Sequence, residues 1–256
     1  MAEVTKYAHG TPSWVDLGAP DVDAAAEFYA ALFGWDIQDA GPVEETGGYR
    51  MCMLRGRSVA GLGPQMNPSG SSWMSYVTVD DADAIAKVIE AAGGTVMMAP
   101  FDVLTVGRMG IFADPVGASF AVWQPGDHVG AGIVNEPGSL TWNELWSRDI
   151  GVASSFYESV FGWTAEAHEM GGMAYTEFHL GGDVVAGMMS VPESLPAQVP
   201  SSWLVYFAVA ECDASVAKIQ SLGGAIVMPA QTIPIGRFAV ATDQGGATFG
   251  IIQMTG

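Results

Sequence analysis

The feature that most limits what this chain can fold into is a stretch that it spells twice, 128 residues apart. Asp21, Phe28-Tyr29 and Phe33-Gly34-Trp35 return as Asp149, Phe156-Tyr157 and Phe161-Gly162-Trp163. In the first copy Val22, Ala25, Ala26, Tyr29, Leu32 and Phe33 recur at helical spacing, as do Ile150, Ala153, Tyr157, Val160 and Phe161 in the second, so each copy is predicted to be an amphipathic helix. Asp21 and Asp149 can accept hydrogen bonds from the free N–H groups of the first turn, and Gly34 and Gly162 permit the left-handed residue that ends a helix. A helix copied with its flanks means an internal duplication.

Smaller marks divide each half again. Ser13-Trp14, Ser72-Trp73, Thr141-Trp142 and Ser202-Trp203 each open a strand-like run followed by a helix. Asp81 and Asp213 begin the two other helices, which close at Gly93-Gly94 and Gly223-Gly224. Val59-Ala60-Gly61, Gly107-Arg108 and Asp114 return as Val185-Ala186-Gly187, Gly236-Arg237 and Asp243. Residues 36–47 read as a loop, and residues 63–70 and 191–201 as linkers rich in Gly, Pro and Ser. The expected organisation is two domains, residues 1–128 and 129–256, with modules at 10–66, 71–126, 138–192 and 201–254. Each module has the order strand, helix, three strands. One βαβββ unit cannot cover both faces of its own sheet, so the units must pair, and two curled sheets leave a concave cleft.

Of the 256 residues 49% are hydrophobic and 14% charged, which excludes a disordered chain. The net charge of −19 comes from 28 acids against 9 bases. It argues against a nucleic-acid partner. The two cysteines, Cys52 and Cys212, fall in different halves, which suits a reducing compartment. No run of about 18 apolar residues could span a bilayer, and the first ten residues lack the apolar core of a signal peptide. The expectation is a cytoplasmic protein, monomer or homodimer, with no membrane partner.

The repeated Asp…Phe-Tyr…Phe-Gly-Trp pattern, together with Asp114-Pro115-Val116-Gly117, resembles the vicinal oxygen chelate superfamily of glyoxalases, bleomycin-resistance proteins and extradiol dioxygenases. It is most similar to the tandem four-module members of hydroxylase or glyoxalase-like antigen type. The resemblance covers nearly the whole chain. It implies an α+β fold in which four βαβββ modules pair into two glyoxalase-like open β-barrels. It also implies a metal ligand, usually His, seven residues before the Asp that opens the helix. Those places hold Trp14 and Trp142, and Trp73 and Trp203 are read as their counterparts in the other modules. The family's further ligand is a Glu four residues past the Gly of the Asp-Pro-x-Gly turn, where Ala121 and Gly250 stand. An indole N–H is a donor only and cannot coordinate a cation, so no metal and no cofactor are expected. The alternative is a site rebuilt from Glu144, Glu177 and His179, the ligand types of a non-haem iron centre.

Four indoles at the bottom of the clefts suit a planar apolar ligand; the bland reading is that they plug the barrels as core. Met51 and Met53 add adaptable surface. Asp16 and Glu144, each two past a cleft Trp, are the candidate catalytic acids or bases, because burial raises a carboxylate pKa. Arg108 and Arg237, on matched strands, could neutralise those carboxylates or hold an anionic ligand oxygen, or instead form surface ion pairs. Tyr76 and Tyr206, three past their Trp, are expected on the opposite sheet face, and His9, His128 and His168 at the surface. The leading expectation is a metal-independent glyoxalase-fold protein that binds a small aromatic or polyketide-like molecule, or a carbonyl ligand, for sequestration, resistance or biosynthesis. The alternative is a glyoxalase-type lyase or hydroxylase using Asp16 or Glu144 as acid or base. A third is an interaction protein with vestigial clefts.

Overall fold

The computed structural model describes residues 3–65, 70–193, 195–196 and 198–255. Parts of both expected linkers (residues 66–69, 194 and 197) lie outside the described residues. Four βαβββ modules follow one another. The first is β1 (Pro12–Ala19), α1 (Val22–Phe33), β2 (Asp36–Asp39), a single turn α2 (Val43–Thr46), β3 (Arg50–Leu54) and β4 (Arg57–Pro64). The second is β5 (Ser72–Thr78), α3 (Ala82–Ala91), β6 (Thr95–Val103), β7 (Gly107–Ala113) and β8 (Ser119–Pro125). The third is β9 (Leu140–Ser147), α4 (Ile150–Phe161), β10 (Thr164–Met170), β11 (Met173–Leu180) and β12 (Asp183–Ser190). The fourth is β13 (Ser202–Ala208), α5 (Cys212–Ser221), β14 (Ala225–Ile233), β15 (Gly236–Thr242) and β16 (Thr248–Met254). Residues 36–47, expected as a loop, contain β2 and α2. β2 and β10 are largely exposed edge strands without apolar alternation, so their sequences carry no periodic signal.

The duplicated helices form as their ends dictate. Asp21 accepts from the Ala24 N–H and Asp149 from that of Val152, both at 3.0 Å. Gly34 and Gly162 take φ of 74° and 70°, which costs glycine no Cβ clash. Modules one and two share an eight-stranded sheet, β2-β3-β4-β1-β5-β8-β7-β6, and modules three and four share its counterpart, β10-β11-β12-β9-β13-β16-β15-β14. The central pairs, β1 with β5 and β9 with β13, run antiparallel.

The helical faces join the two sheets crosswise. The rings of Phe28, Tyr29 and Phe33 on α1 pack on Phe207 and Phe249 of module four. Phe156, Tyr157 and Phe161 on α4 pack on Phe120 of module two. Full burial of one such ring is worth about 2–3 kcal/mol. Polar ties follow the same route. Trp73 Nε1 donates to Tyr29 Oη at 3.0 Å, and Tyr29 Oη donates to Asp243 Oδ2 at 3.1 Å. In the other crossing Trp203 Nε1 donates to Tyr157 Oη at 2.8 Å, and Tyr157 Oη to Asp114 Oδ2 at 3.0 Å. The second oxygen of each Asp holds its own turn, accepting from Val116 and Ala118 or from Gly245 and Ala247. The repeated Tyr, Trp and Asp are therefore one fastening used twice.

Four expectations are corrected here. Trp73 and Trp203 do not stand with Trp14 and Trp142 beside the carboxylates; they lie largely buried on the helical face and reach only the seam between the halves. Tyr76 and Tyr206 take the cleft face instead. Trp14 stands seven residues before its helix cap but Trp73 stands eight before Asp81, and in a strand a one-residue slip reverses every side chain. In the register Trp14 accordingly faces Tyr76, and Trp73 faces Leu17. Arg108 and Arg237 also lie outside the clefts. Arg108 bridges Asp83 and Asp102 at 2.9 Å each, and Arg237 meets Asp213 at 2.8 Å. His128 is not a surface residue: its ring stands edge-on to Trp14 with centroids 4.4 Å apart.

Candidate functional site

Each concave face carries one carboxylate under two phenols. On the first, Tyr76 Oη donates to Asp16 Oδ2 at 2.8 Å and Tyr49 Oη donates to the same oxygen at 3.2 Å. Trp14 Nε1 donates to Tyr49 Oη at 3.2 Å. On the second, Tyr206 Oη and Trp146 Nε1 donate to Glu144 Oε1 at 3.0 and 2.8 Å, and Tyr175 Oη donates to Oε2 at 2.9 Å. Trp142 Nε1 donates to Tyr175 Oη at 2.8 Å. Both faces thus carry the same relay of indole, phenol and carboxylate. The tyrosines from β13 and from beside β3 and on β11 were not among the sequence candidates. The signal that could have found them is the glycines beneath them. A Cβ on Gly61 would come within 1.8 Å of Tyr49 Oη, and one on Gly187 within 1.9 Å of Tyr175 Oη. A Cβ on Gly250 would fall 2.2 Å from the Tyr206 ring. The repeated Val-Ala-Gly marks are places where a phenol lies flat on bare backbone.

Burial dominates the electrostatics. It pushes the Asp16 carboxyl up to about 6, against the two phenol hydrogen bonds that favour the charged form. It raises Glu144 too, against its three donors. Tyr49, Tyr76, Tyr175 and Tyr206 are held above the ordinary phenol range by burial and by the neighbouring carboxylates, so they stay donors. Burial lowers His128 to about 4, leaving a neutral ring.

The second face holds a cavity of about 240 Å³ around Trp142, Glu144, Tyr175 and Tyr206, lined also by Met170, Met173, Met189 and Ile252. A larger groove of about 1040 Å³ runs along the seam between the halves and reaches Asp16. Met51 packs on the Trp14 cluster, while Met53 follows a register shift in β3 and lines neither space.

The family's metal positions hold groups that do not fit a cation. Trp14 and Trp142 offer N–H donors, Tyr76 faces Ala121, and Tyr206 faces Gly250. The alternative trio is not assembled either. Glu177 lines the cavity, but its near partners are His168 at 3.8 Å and His179 at 3.6 Å, and His179 leans to Glu166 at 3.7 Å. Among the described residues no group of three or more His, Cys, Asp or Glu could hold a metal ion.

Tandem βαβββ modules paired into two eight-stranded sheets define the class, and the chain belongs to the Glyoxalase/Bleomycin resistance protein/Dioxygenase superfamily, whose family model matches residues 11–122 and again 134–251. It is 41% identical over 262 residues to "Putative glyoxylase CFP32" of Mycobacterium tuberculosis, covering 99% of this chain and 98% of that protein. It is 38% identical over 269 residues to the anthracycline biosynthesis protein DnrV of Streptomyces peucetius, covering 98% and 96%. Among solved structures, the Mn(II)-bound glyoxalase from Novosphingobium aromaticivorans superposes with a TM-score of 0.66 at 17% identity, over 96% of this chain and 83% of that one. The 2,3-dioxygenase LapB from Pseudomonas sp. KL28 gives 0.63 at 13%, over 96% and 93%. At such identities the likeness is one of fold. Among the described residues no helix is long and apolar enough to cross a membrane.

Proposed function

We propose that this chain is a metal-independent binding protein for a small aromatic or polyketide-like molecule, held in the cavity over Glu144, and that it serves sequestration, resistance or biosynthesis. The observation that carries this reading is the state of Glu144. Both of its oxygens already serve protein donors, three in all, so it orders the rings around it and is poorly placed to take a proton from a substrate. The surrounding surface is aromatic and methionine-rich, which suits stacking and adaptable contact. At interior packing density of about 0.75, a 240 Å³ cavity takes roughly 180 Å³ of ligand, the bulk of a bicyclic aromatic. The likeness to a protein named for anthracycline biosynthesis supports an aromatic polyketide-type ligand.

The test is titration of tryptophan fluorescence with 2-naphthol and 1-tetralone. Saturable quenching is expected, unchanged after dialysis against EDTA. Trp142→Ala should abolish it and Glu144→Gln should change the affinity by only a few-fold. Turnover of the methylglyoxal–glutathione adduct should stay at background. Turnover abolished by Glu144→Gln, or binding that needs a metal added back, would overturn the proposal.

A further inference from the structure

The two halves differ where they should match. Gly18 in β1 and Trp146 in β9 occupy equivalent positions, four past the cleft Trp. Trp146 lines both the Glu144 cavity and the seam groove, and stands between them. Behind it Glu144 borders its own cavity and not the groove, whereas Asp16, beside the bare Gly18, borders the groove and not that cavity. The opposite end of the first cleft is filled: Ala131, from the segment joining the halves, is fully buried in the Trp14 cluster, and His128 lies against Trp14. The same architecture has been opened toward the seam in one half and closed toward it in the other.

The groove has its own chemistry. It draws its lining from both halves, with serines 71, 72, 201 and 202 along the seam and Met74, Met98 and Ile111 near Asp16. Asp16 is the one charged residue among the described residues that line it. Its Oδ2 takes both phenols, and its Oδ1 accepts from no described residue. Asp16 is half-buried and this oxygen opens on the groove, so an O–H of a bound ligand can reach it and take the place of solvent. No basic residue is among the described residues that line the groove.

We infer that the seam groove is a second ligand site, separate from the Glu144 cavity, which takes a neutral polycyclic phenol whose hydroxyl donates to Asp16 Oδ1. The exchange of glycine for tryptophan between positions 18 and 146 opens it to Asp16 and closes it to Glu144. This inference does not depend on what occupies the Glu144 cavity.

The experiment is a fluorescence titration with 1-hydroxypyrene and, as the analogue lacking a hydroxyl, pyrene. The native chain should bind both, the phenol more tightly. Asp16→Asn turns an amide N–H₂ toward the groove while its oxygen keeps the two tyrosines; it should weaken 1-hydroxypyrene about tenfold, or about 1.4 kcal/mol, and leave pyrene unchanged. Gly18→Trp should abolish binding of both, and Glu144→Gln should alter neither. Circular dichroism and thermal melting check that each variant is folded. If Gly18→Trp unfolds the chain, Met74→Trp, which fills the same lobe, replaces it. Equal affinity of native and Asp16→Asn protein for 1-hydroxypyrene, undiminished binding in the lobe-filling variant, or loss of binding in Glu144→Gln would each overturn the inference.

Discussion

Replacing Asp16 by Asn should make this protein relatively more stable as the pH rises, by an amount that the environment of the carboxylate sets. Burial lifts its pKa from 3.8 to about 6, so the folded state holds the proton more tightly than the unfolded chain does. The stabilisation from that proton is complete below about pH 3.8 and is lost as the pH climbs through 6. A difference of 2.2 units at 1.36 kcal/mol per unit gives a loss of about 3 kcal/mol by pH 8. Asn does not titrate, and its oxygen can still accept from Tyr49 and Tyr76. The difference in unfolding free energy between Asp16→Asn and native protein should therefore shift in favour of the variant by about 2 kcal/mol between pH 4.5 and 8, the remainder of the shift lying below pH 4.5. Urea denaturation at closely spaced pH values measures it. Glu144, Asp114 and Asp243 are raised by burial as well, but they titrate alike in both proteins and cancel. A difference that stays flat, or that moves toward the native protein with rising pH, would refute the reasoning that desolvation outweighs the two phenol hydrogen bonds.

The crosswise fastening and the glycine beds can be tested in the same preparations. Tyr157→Phe removes the donor to Asp114 and leaves Trp203 Nε1 without its acceptor; it should cost about 2–3 kcal/mol in urea denaturation, and a change below about 0.5 kcal/mol would show that the link between the halves is idle. Gly187→Ala puts a methyl 1.9 Å from Tyr175 Oη and 2.8 Å from Trp142 Nε1. It should lower 2-naphthol affinity at least tenfold while sparing 1-hydroxypyrene; unchanged 2-naphthol binding would mean that Tyr175 does not shape the cavity.

Much of this was legible along the chain. The helix caps at Asp21 and Asp149 and their stops at Gly34 and Gly162 rest on local hydrogen bonds and backbone freedom, which neighbouring residues decide. The equivalence of Asp16 and Glu144 is legible because each stands five residues before its helix cap, and a strand keeps its own alternation. Trp73 and Trp203 fall on the other face for a related reason: their strand openings match those of Trp14 and Trp142, but their distance to the helix differs by one residue, which reverses the face. Tyr49 and Tyr175 were missed because they reach the carboxylates from neighbouring strands, and only the glycines under them hint at it.

The sequence by itself determined four βαβββ modules, two matched halves and one carboxylate in each, because turns, caps and periodicity act over a few residues. Only the tertiary structure decided that module one leans on module four, that Arg108 and Arg237 serve helix ends, and that Trp146 walls Glu144 from the seam while Gly18 leaves Asp16 open to it. Those outcomes depend on sheet register and on which surfaces meet across more than a hundred residues, and no local spacing encodes them.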